Sequence, residues 1–157
     1  MIDKEYLLDS NIIIKVWNRY PKLLESIENT NGIDFKISKD IAGELSIKEY
    51  KNLKRIPVLS DRFIKLLGHV NDDLDLSFKR DYVINNSIKY ENNMCFVEGN
   101  KISMNDYNLI HICEDNKGYV LVTEDRRMFD SAKLLLGSER VLNFDEFIRE
   151  LEGLNLI

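Results

Sequence analysis

Two carboxylates follow short apolar runs that are typical of buried strands. Asp9 ends the strand predicted over residues 5–9, and Asp125 follows the strand predicted over 119–123. If both runs are parallel strands of one sheet, their carboxyl ends meet at the edge where ligands bind in open α/β sheets. This pattern predicts an acidic site at that edge. The simpler alternative is that each Asp only caps the helix that follows its strand.

A third acid, Glu44, lies on a predicted helix among apolar residues. Projected at about 100° per residue, it falls inside the arc spanned by Ile41 and Ile47. Acidic side chains are rarely buried unless they are paired or bind a metal ion. Glu44 is therefore a candidate site residue, and the alternative is an ion pair with Lys48 one turn later.

Asp106 repeats this pattern on a later helix. Its position falls within an apolar arc that includes Leu109 and Ile110, whereas His111 falls well off that face. The alternative is again local, because Ser103-x-x-Asp106 is close to a capping box and an acid in the first turn suits the helix dipole.

Four acids brought together would repel one another, which raises their pKa values and costs stability. A divalent cation removes that cost. His69 and His111 are too few and too isolated for a histidine site, and Cys95 and Cys113 form neither a CxxC motif nor a disulfide framework. Oxygen ligands are therefore expected, and these favour Mg²⁺ or Mn²⁺.

The bulk composition indicates one globular domain over residues 1–157. The sequence is 44% hydrophobic and 31% charged, and its net charge is −5. No apolar run approaches the roughly 20 residues that cross a bilayer, and the N-terminus does not resemble a signal peptide, so a cytoplasmic protein is expected. The acidic charge gives no general reason to expect nucleic-acid binding, although Arg126 and Arg127 form one of several local basic clusters.

The hydrophobic patterns predict alternating strands and helices. Strands are predicted over 5–9, 34–37, 119–123 and 140–142, helices over 11–18, 22–28, 39–52, 60–70, 77–92, 103–115, 127–136 and 145–151, and a loop over 96–101. This alternation favours a parallel sheet that is covered on both faces by helices.

Four short segments resemble the motifs of one family. They are Leu7-Leu-Asp-Ser-Asn-Ile12, Ile41-Ala-Gly-Glu-Leu45, Asn105-Asp-Tyr-Asn-Leu-Ile110 and Leu121-Val-Thr-Glu-Asp-Arg-Arg-Met-Phe129. In type and order they are similar to those of PIN-domain ribonucleases, especially the single-domain VapC-type toxins of bacterial toxin–antitoxin pairs. The resemblance covers about residues 5 to 130, but no motif matches between about 53 and 102.

This resemblance implies a Rossmann-like, three-layer α/β/α fold with a central parallel sheet. It also implies a pocket of Asp9, Glu44, Asp106 and Asp125 that binds Mg²⁺ or Mn²⁺, with the hydroxyl of Thr123 supporting it. The implied activity is metal-dependent endoribonucleolytic cleavage of RNA phosphodiesters, with the four acids as catalytic and metal-binding residues. Arg126 and Arg127 are candidate contacts to RNA phosphate, and an antitoxin and a second copy of the chain are candidate partners.

Two alternatives remain open from the sequence. The chain could be a PIN-like module that binds protein or RNA with little or no turnover. It could also be a domain in which Asp9 or Asp125 accepts a phosphoryl group, but this chemistry needs a nearby lysine and an Asp-Asp pair. The pair Asp72-Asp73 lies in a polar break and not after a strand.

Overall fold

The computed structural model describes residues 3–71 and 94–157 in full and residues 88–91 by their backbone. In chain order the elements are β1 (Lys4–Leu8), α1 (Ser10–Arg19), α2 (Leu23–Glu28), β2 (Ile33–Lys36), α3 (Lys39–Glu49), β3 (Tyr50–Leu53), β4 (Ile56–Leu59), α4 (Asp61–Leu66), β5 (Ile88–Glu91), β6 (Met94–Val97), β7 (Asn100–Ser103), α5 (Met104–Asp115), β8 (Tyr119–Val122), α6 (Arg126–Leu136), β9 (Val141–Leu142) and α7 (Phe144–Gly153). None of the helices in these ranges has the length and apolar character that crossing a bilayer requires.

A four-stranded parallel sheet forms the centre of the protein. Its strand order is β2-β1-β8-β9, and helices flank it, which is consistent with a three-layer α/β/α fold. From β1 the chain first moves outward to β2 and later returns to the other side of β1 to form β8. The strand order therefore reverses between β1 and β8, and such a switch point is where open α/β sheets bind ligands.

The middle strands are buried because they are apolar on both faces. Tyr6, Leu7 and Leu8 of β1 are fully buried, and all four residues of β8 are buried as well. Strands covered on both sides by helices have this continuous apolar character. The central strands and their flanking helices contribute to one hydrophobic cluster, which fixes the ends of β1 and β8.

Three predictions between residues 50 and 101 are wrong. The helix predicted to reach Asn52 ends at Glu49, and the chain continues as a hairpin, β3-β4, that includes Pro57. Its two-residue turn consists of Lys54 and Arg55, which have left-handed φ values of 51° and 68°. Gly, Asn and Asp are the residues that predict such a turn from sequence, and this turn contains none of them. Propensity alone could not show this turn.

The loop predicted over 96–101 is also a hairpin. Strands β6 and β7 are antiparallel, and Glu98 and Gly99 form their turn, with Gly99 at φ 85°. The predicted helix over 77–92 is contradicted at Ile88–Glu91, which pairs with β6 as a strand. Residues 77–87 of that prediction lie outside the described residues.

Arg140 holds the segment that joins α5 to β8. Its Nη2 atom donates to the carbonyl oxygens of Cys113, Asn116 and Tyr119, at 2.6, 2.9 and 2.9 Å. These are the last carbonyls of a helix and the first carbonyl of a strand. One guanidinium group therefore positions α5, which carries Asp106, and β8, which Thr123 and Asp125 follow.

Replacing Arg140 with Leu should lower the free energy of unfolding by about 2–3 kcal/mol, because a charged donor is lost and the half-buried carbonyls of Cys113 and Tyr119 lose this partner. The Asn116 carbonyl keeps its hydrogen bond from the N–H of Tyr119. Urea denaturation monitored by circular dichroism measures this change. The matched control is Arg149→Leu, since Arg149 is exposed on α7, and it should shift stability by less than about 0.5 kcal/mol. Equal effects of both variants would contradict this role for Arg140.

Candidate acidic site

Thr123 connects the carboxyl ends of the two middle strands. Its buried hydroxyl donates to Asp9 Oδ2 at 2.7 Å and accepts from the backbone N–H of Asp125 at 3.1 Å. The register explains this contact, because Leu8 lies opposite Val122 and the next residues of the two strands therefore face each other. Thr123, predicted as a supporting residue, lies between both strand-end acids.

Both strand-end acids also cap helices. Asp9 Oδ1 accepts from the N–H of Ser10 at 2.8 Å, and Asp125 Oδ1 accepts from the N–H of Met128 at 3.0 Å. The capping alternative is thus confirmed for both, and Asp9 takes the position expected for Ser10 or Asn11. Capping and a shared site are compatible, because an ionised carboxylate offers about four lone-pair positions.

Asp106 reaches the same region from α5. The Ser103 side chain caps this helix by accepting from the N–H of Asp106 at 3.1 Å, which fixes the acid in the first turn. Helix α5 packs against β8 and α6, the two elements on either side of Asp125. The Ser103 cap that the sequence predicted therefore also fixes the end of α5 from which Asp106 approaches the strand-end acids.

Glu44 differs from its expected environment. It is exposed, because the arc that was expected to bury it included Ile47, which is itself 80% exposed. The buried acid of α3 is Glu49, only 8% exposed, which sequence reasoning missed. Glu49 accepts hydrogen bonds from Arg62 and Ser60, and the Arg62 contact lowers its pKa. No sequence signal identifies this pair, since its members lie on either side of an unpredicted hairpin.

The charges of the predicted acids act on the pKa values of Asp9 and Asp106. Burial is the main cause that raises the pKa of Asp9, and the charges of Glu44 and Asp125 raise it further, while the hydrogen bond from Thr123 opposes the shift. Burial also raises the pKa of Asp106, with contributions from the charges of Asp9 and Asp125. Each acid therefore interacts with at least one other.

The donor set suits a hard cation. The cluster offers carboxylate oxygens, whereas both thiols lie in the core, where burial raises the pKa of Cys95 to about 11 and that of Cys113 to about 12. Oxygen ligands favour Mg²⁺ or Mn²⁺. Within residues 3–71 and 94–157, however, no three acidic, His or Cys side chains lie close enough to hold an ion as they stand. Binding would require rotation of the acids, with the exposed Glu44 the freest to move.

Two further features surround the strand ends. Glu124, which the sequence analysis did not select, accepts from the N–H of Phe144 at 2.8 Å and pairs with Lys15 at 3.3 Å, so it joins α7 and α1 beside the site. Its partners are distant in sequence and could not be inferred from spacing. Arg126 and Arg127 are exposed in the first turn of α6, and their role in phosphate contact stays a prediction.

Comparison with known proteins supports the fold. No protein-family model matches the sequence, and no curated protein matches it. Among solved structures, the crystal structure of PAE2754 from Pyrobaculum aerophilum is similar, with a TM-score of 0.55 and 21% sequence identity over 96% of this chain and 91% of that chain. At this identity the likeness shows the fold alone.

Replacing Thr123 with Val should lower the free energy of unfolding by about 1–3 kcal/mol, because Asp9 loses a donor and the Asp125 N–H loses its acceptor in a buried position. The Thr123→Ser variant keeps the hydroxyl and should recover most of that loss. Chemical denaturation of both variants measures the difference. If Thr123→Ser were as destabilising as Thr123→Val, loss of the hydroxyl would not account for the effect and this role for Thr123 would be contradicted.

Replacing Asp106 with Asn should increase metal-free stability at neutral pH by about 0.5–1 kcal/mol. The pKa of Asp106 is raised in the folded state, so stability decreases as pH rises from the ordinary to the raised pKa, and the loss is complete above the raised pKa. The Ser103 side chain still caps the backbone N–H of residue 106 in the variant. The carbonyl oxygen of Asn can also accept the hydrogen bonds that Ser103 makes to the Asp106 carboxylate.

Unfolding free energies between about pH 4 and 8, measured with a chelator, test this sign. The variant should show a flatter profile than the wild type. Asp130→Asn, at an exposed position of α6, serves as the control and should follow the wild-type profile. A variant at position 106 that is less stable than the wild type at neutral pH would contradict the prediction.

Proposed function

We propose that this chain is a PIN-like, metal-dependent endoribonuclease that hydrolyses RNA phosphodiester bonds with Mg²⁺ or Mn²⁺. One observation carries the proposal. At the switch point of a parallel sheet, the Thr123 hydroxyl joins the Asp9 carboxylate to the backbone of Asp125, and the charges of the neighbouring acids raise the pKa values of Asp9 and Asp106. Neighbouring carboxylates repel one another and lower the stability of the fold, and a bound divalent cation removes this cost.

The residues have distinct roles in this proposal. Asp9, Asp106 and Asp125 hold the ion, with Asp9 oriented by its hydrogen bond from Thr123. Glu44, exposed on the flank of α3, either completes the ligand set or orients the attacking water. The bound cation supplies Lewis acidity, which lowers the pKa of water and offsets charge on the phosphoryl oxygens. Arg126 and Arg127 would position the RNA backbone without selecting its sequence.

The sequence resemblance to VapC-type toxins extends this proposal to a biological setting. The protein would be the toxin of a toxin–antitoxin pair, acting in the cytoplasm and controlled by an antitoxin protein. A homodimer is also proposed from this resemblance. These statements depend on the nuclease activity and are tested after it.

Asp125→Asn should reduce RNA cleavage by more than about 100-fold. Mutating a residue that only hydrogen-bonds to a metal ligand costs about 10–100-fold in activity, and losing the ligand itself should cost more. Asn preserves the helix cap, so the fold should remain intact. Cleavage of a mixed RNA pool with Mn²⁺ present measures the effect, and Asp130→Asn is the matched control. Cleavage by Asp125→Asn at the wild-type rate would exclude the proposed site.

Manganese should raise the thermal midpoint of the wild type by about 5–10 °C when its concentration is about 100 times the dissociation constant. The shift should disappear in Asp125→Asn and persist in Asp130→Asn. Differential scanning fluorimetry with and without Mn²⁺ measures these midpoints.

The thermal experiment also separates the second candidate function. A PIN-like binding module with little turnover is favoured by the spacing of the acids, which among the described residues do not group closely enough to share an ion. If the wild type showed neither a manganese-dependent shift nor cleavage, the binding module would replace the nuclease proposal.

A further inference from the structure

The hairpin β3-β4 is an exposed element with unusual composition. All four residues of β3 and the first three of β4 are exposed, and these include Leu53 at 61% and Ile56 at 64%. An isolated two-stranded hairpin is at best marginally stable in water. Exposed apolar side chains concentrated on one such element are typical of an interaction surface.

Only one edge of this hairpin can accept another strand. The pair that flanks a two-residue turn, here Leu53 and Ile56, exchanges hydrogen bonds, so the next pair, Asn52 and Pro57, directs its backbone groups outward. Proline has no N–H, and β4 therefore lacks a donor on its outer edge at Pro57. This proline protects β4 from strand addition.

The outer edge of β3 has no such protection. By the same alternation, Asn52 directs both N–H and C=O outward, and Tyr50, which is the C-cap residue of α3, directs its C=O outward. Among the residues that the structure describes, β3 pairs with β4 alone. The hairpin is thus closed on one edge and open on the other.

The charge of the hairpin defines the partner. Residues 50–60 contain Lys51, Lys54 and Arg55 and no acid, although the whole chain has a net charge of −5. Lys54 and Arg55 occupy the turn in left-handed conformations that are unfavourable for residues other than glycine. Lys51 lies on the same face as Leu53, two residues away, so this face presents a cation beside an apolar side chain.

We propose that the open edge of β3 binds an extended segment of a partner protein by strand addition. The segment carries an apolar residue beside Leu53 and acidic residues on either side of it, facing Lys51 and the turn. Main-chain hydrogen bonds to Tyr50 and Asn52 provide affinity, and the alternation of side chains provides specificity. The inference does not depend on the nuclease proposal.

Two other occupants fit the hairpin less well. RNA would neutralise the cations but leave Leu53 and Ile56 exposed, and Tyr50 is the only aromatic residue of the hairpin available for base stacking. A second copy joined symmetrically through this edge would bring the same cations together, and like charges across an interface are unfavourable.

A labelled peptide, Thr-Glu-Thr-Val-Thr-Glu-Thr, provides the direct test. Its acid–apolar–acid pattern reads the same in both directions, so it suits parallel and antiparallel addition. Titration into ¹⁵N-labelled protein should perturb the amide signals of Tyr50 and Asn52, with a dissociation constant of about 0.1–1 mM. The same peptide with both Glu residues replaced by Lys should cause no such changes.

Two variants separate strand addition from general attraction. Asn52→Pro removes an outward N–H donor without removing a hydrogen bond between β3 and β4. It should weaken peptide binding about fivefold or more, whereas the control Asn52→Ala should change peptide binding less than about twofold. Lys51→Glu should remove most of the preference between the two peptides, because only the cations of the turn remain to attract the acidic peptide. This test holds even if the proline variant distorts the hairpin. RNA cleavage should be unchanged in both variants.

Each other outcome overturns the proposal. No perturbation at millimolar peptide, or perturbation that neither Asn52→Pro nor Lys51→Glu affects, would show that β3 is not the site. Tighter binding of an oligouridine to the same amides would assign the hairpin to RNA. A concentration-dependent dimer that Leu53→Asp disperses, measured by sedimentation, would assign it to a second copy.

Discussion

The hydrogen bonds of the Thr123 side chain constrain the rest of the candidate site. A buried hydroxyl has one proton to donate, and this proton goes to Asp9, while its oxygen accepts from the backbone of Asp125. This arrangement requires β1 and β8 to be neighbours in one fixed register, because a slip of one residue would turn every side chain to the opposite face. The sheet order, the burial of both strands and the Arg140 contacts before β8 all maintain that register.

The acids at the strand ends combine two roles that usually conflict. As helix caps, Asp9 and Asp125 stabilise the first turns of α1 and α6. As neighbours, they repel each other and Asp106, and burial increases this cost, as the raised pKa values of Asp9 and Asp106 show. Perturbed pKa values of this kind are common at functional sites, where a ligand can offset the repulsion between like charges. A bound cation would convert the repulsion into attraction.

The sequence predicted the central sheet and the helix caps at its strand ends better than the segment between residues 50 and 101. Strand β8 and helix α5 could be predicted because apolar runs and the Ser103 cap are local signals. The hairpins could not, since Lys54 and Arg55 form a tight turn without glycine and the pairing involves residues that have weak strand patterns. The placement of Glu44 failed for a related reason: periodicity shows that Ile47 is apolar, but only the tertiary structure shows which side of α3 is covered.

The central position of β1 has a consequence for how the protein forms. Strand β1 obtains its second neighbour only from residues 119–122, more than 100 positions later. Contacts between such distant segments are entropically costly and form late, so folding is slow compared with that of chains dominated by local contacts. During synthesis, Asp9 therefore lies beside an unpaired strand edge until residues 119–122 have emerged. The acidic cluster cannot form before residue 125 has been added, and any activity that depends on it begins only afterwards.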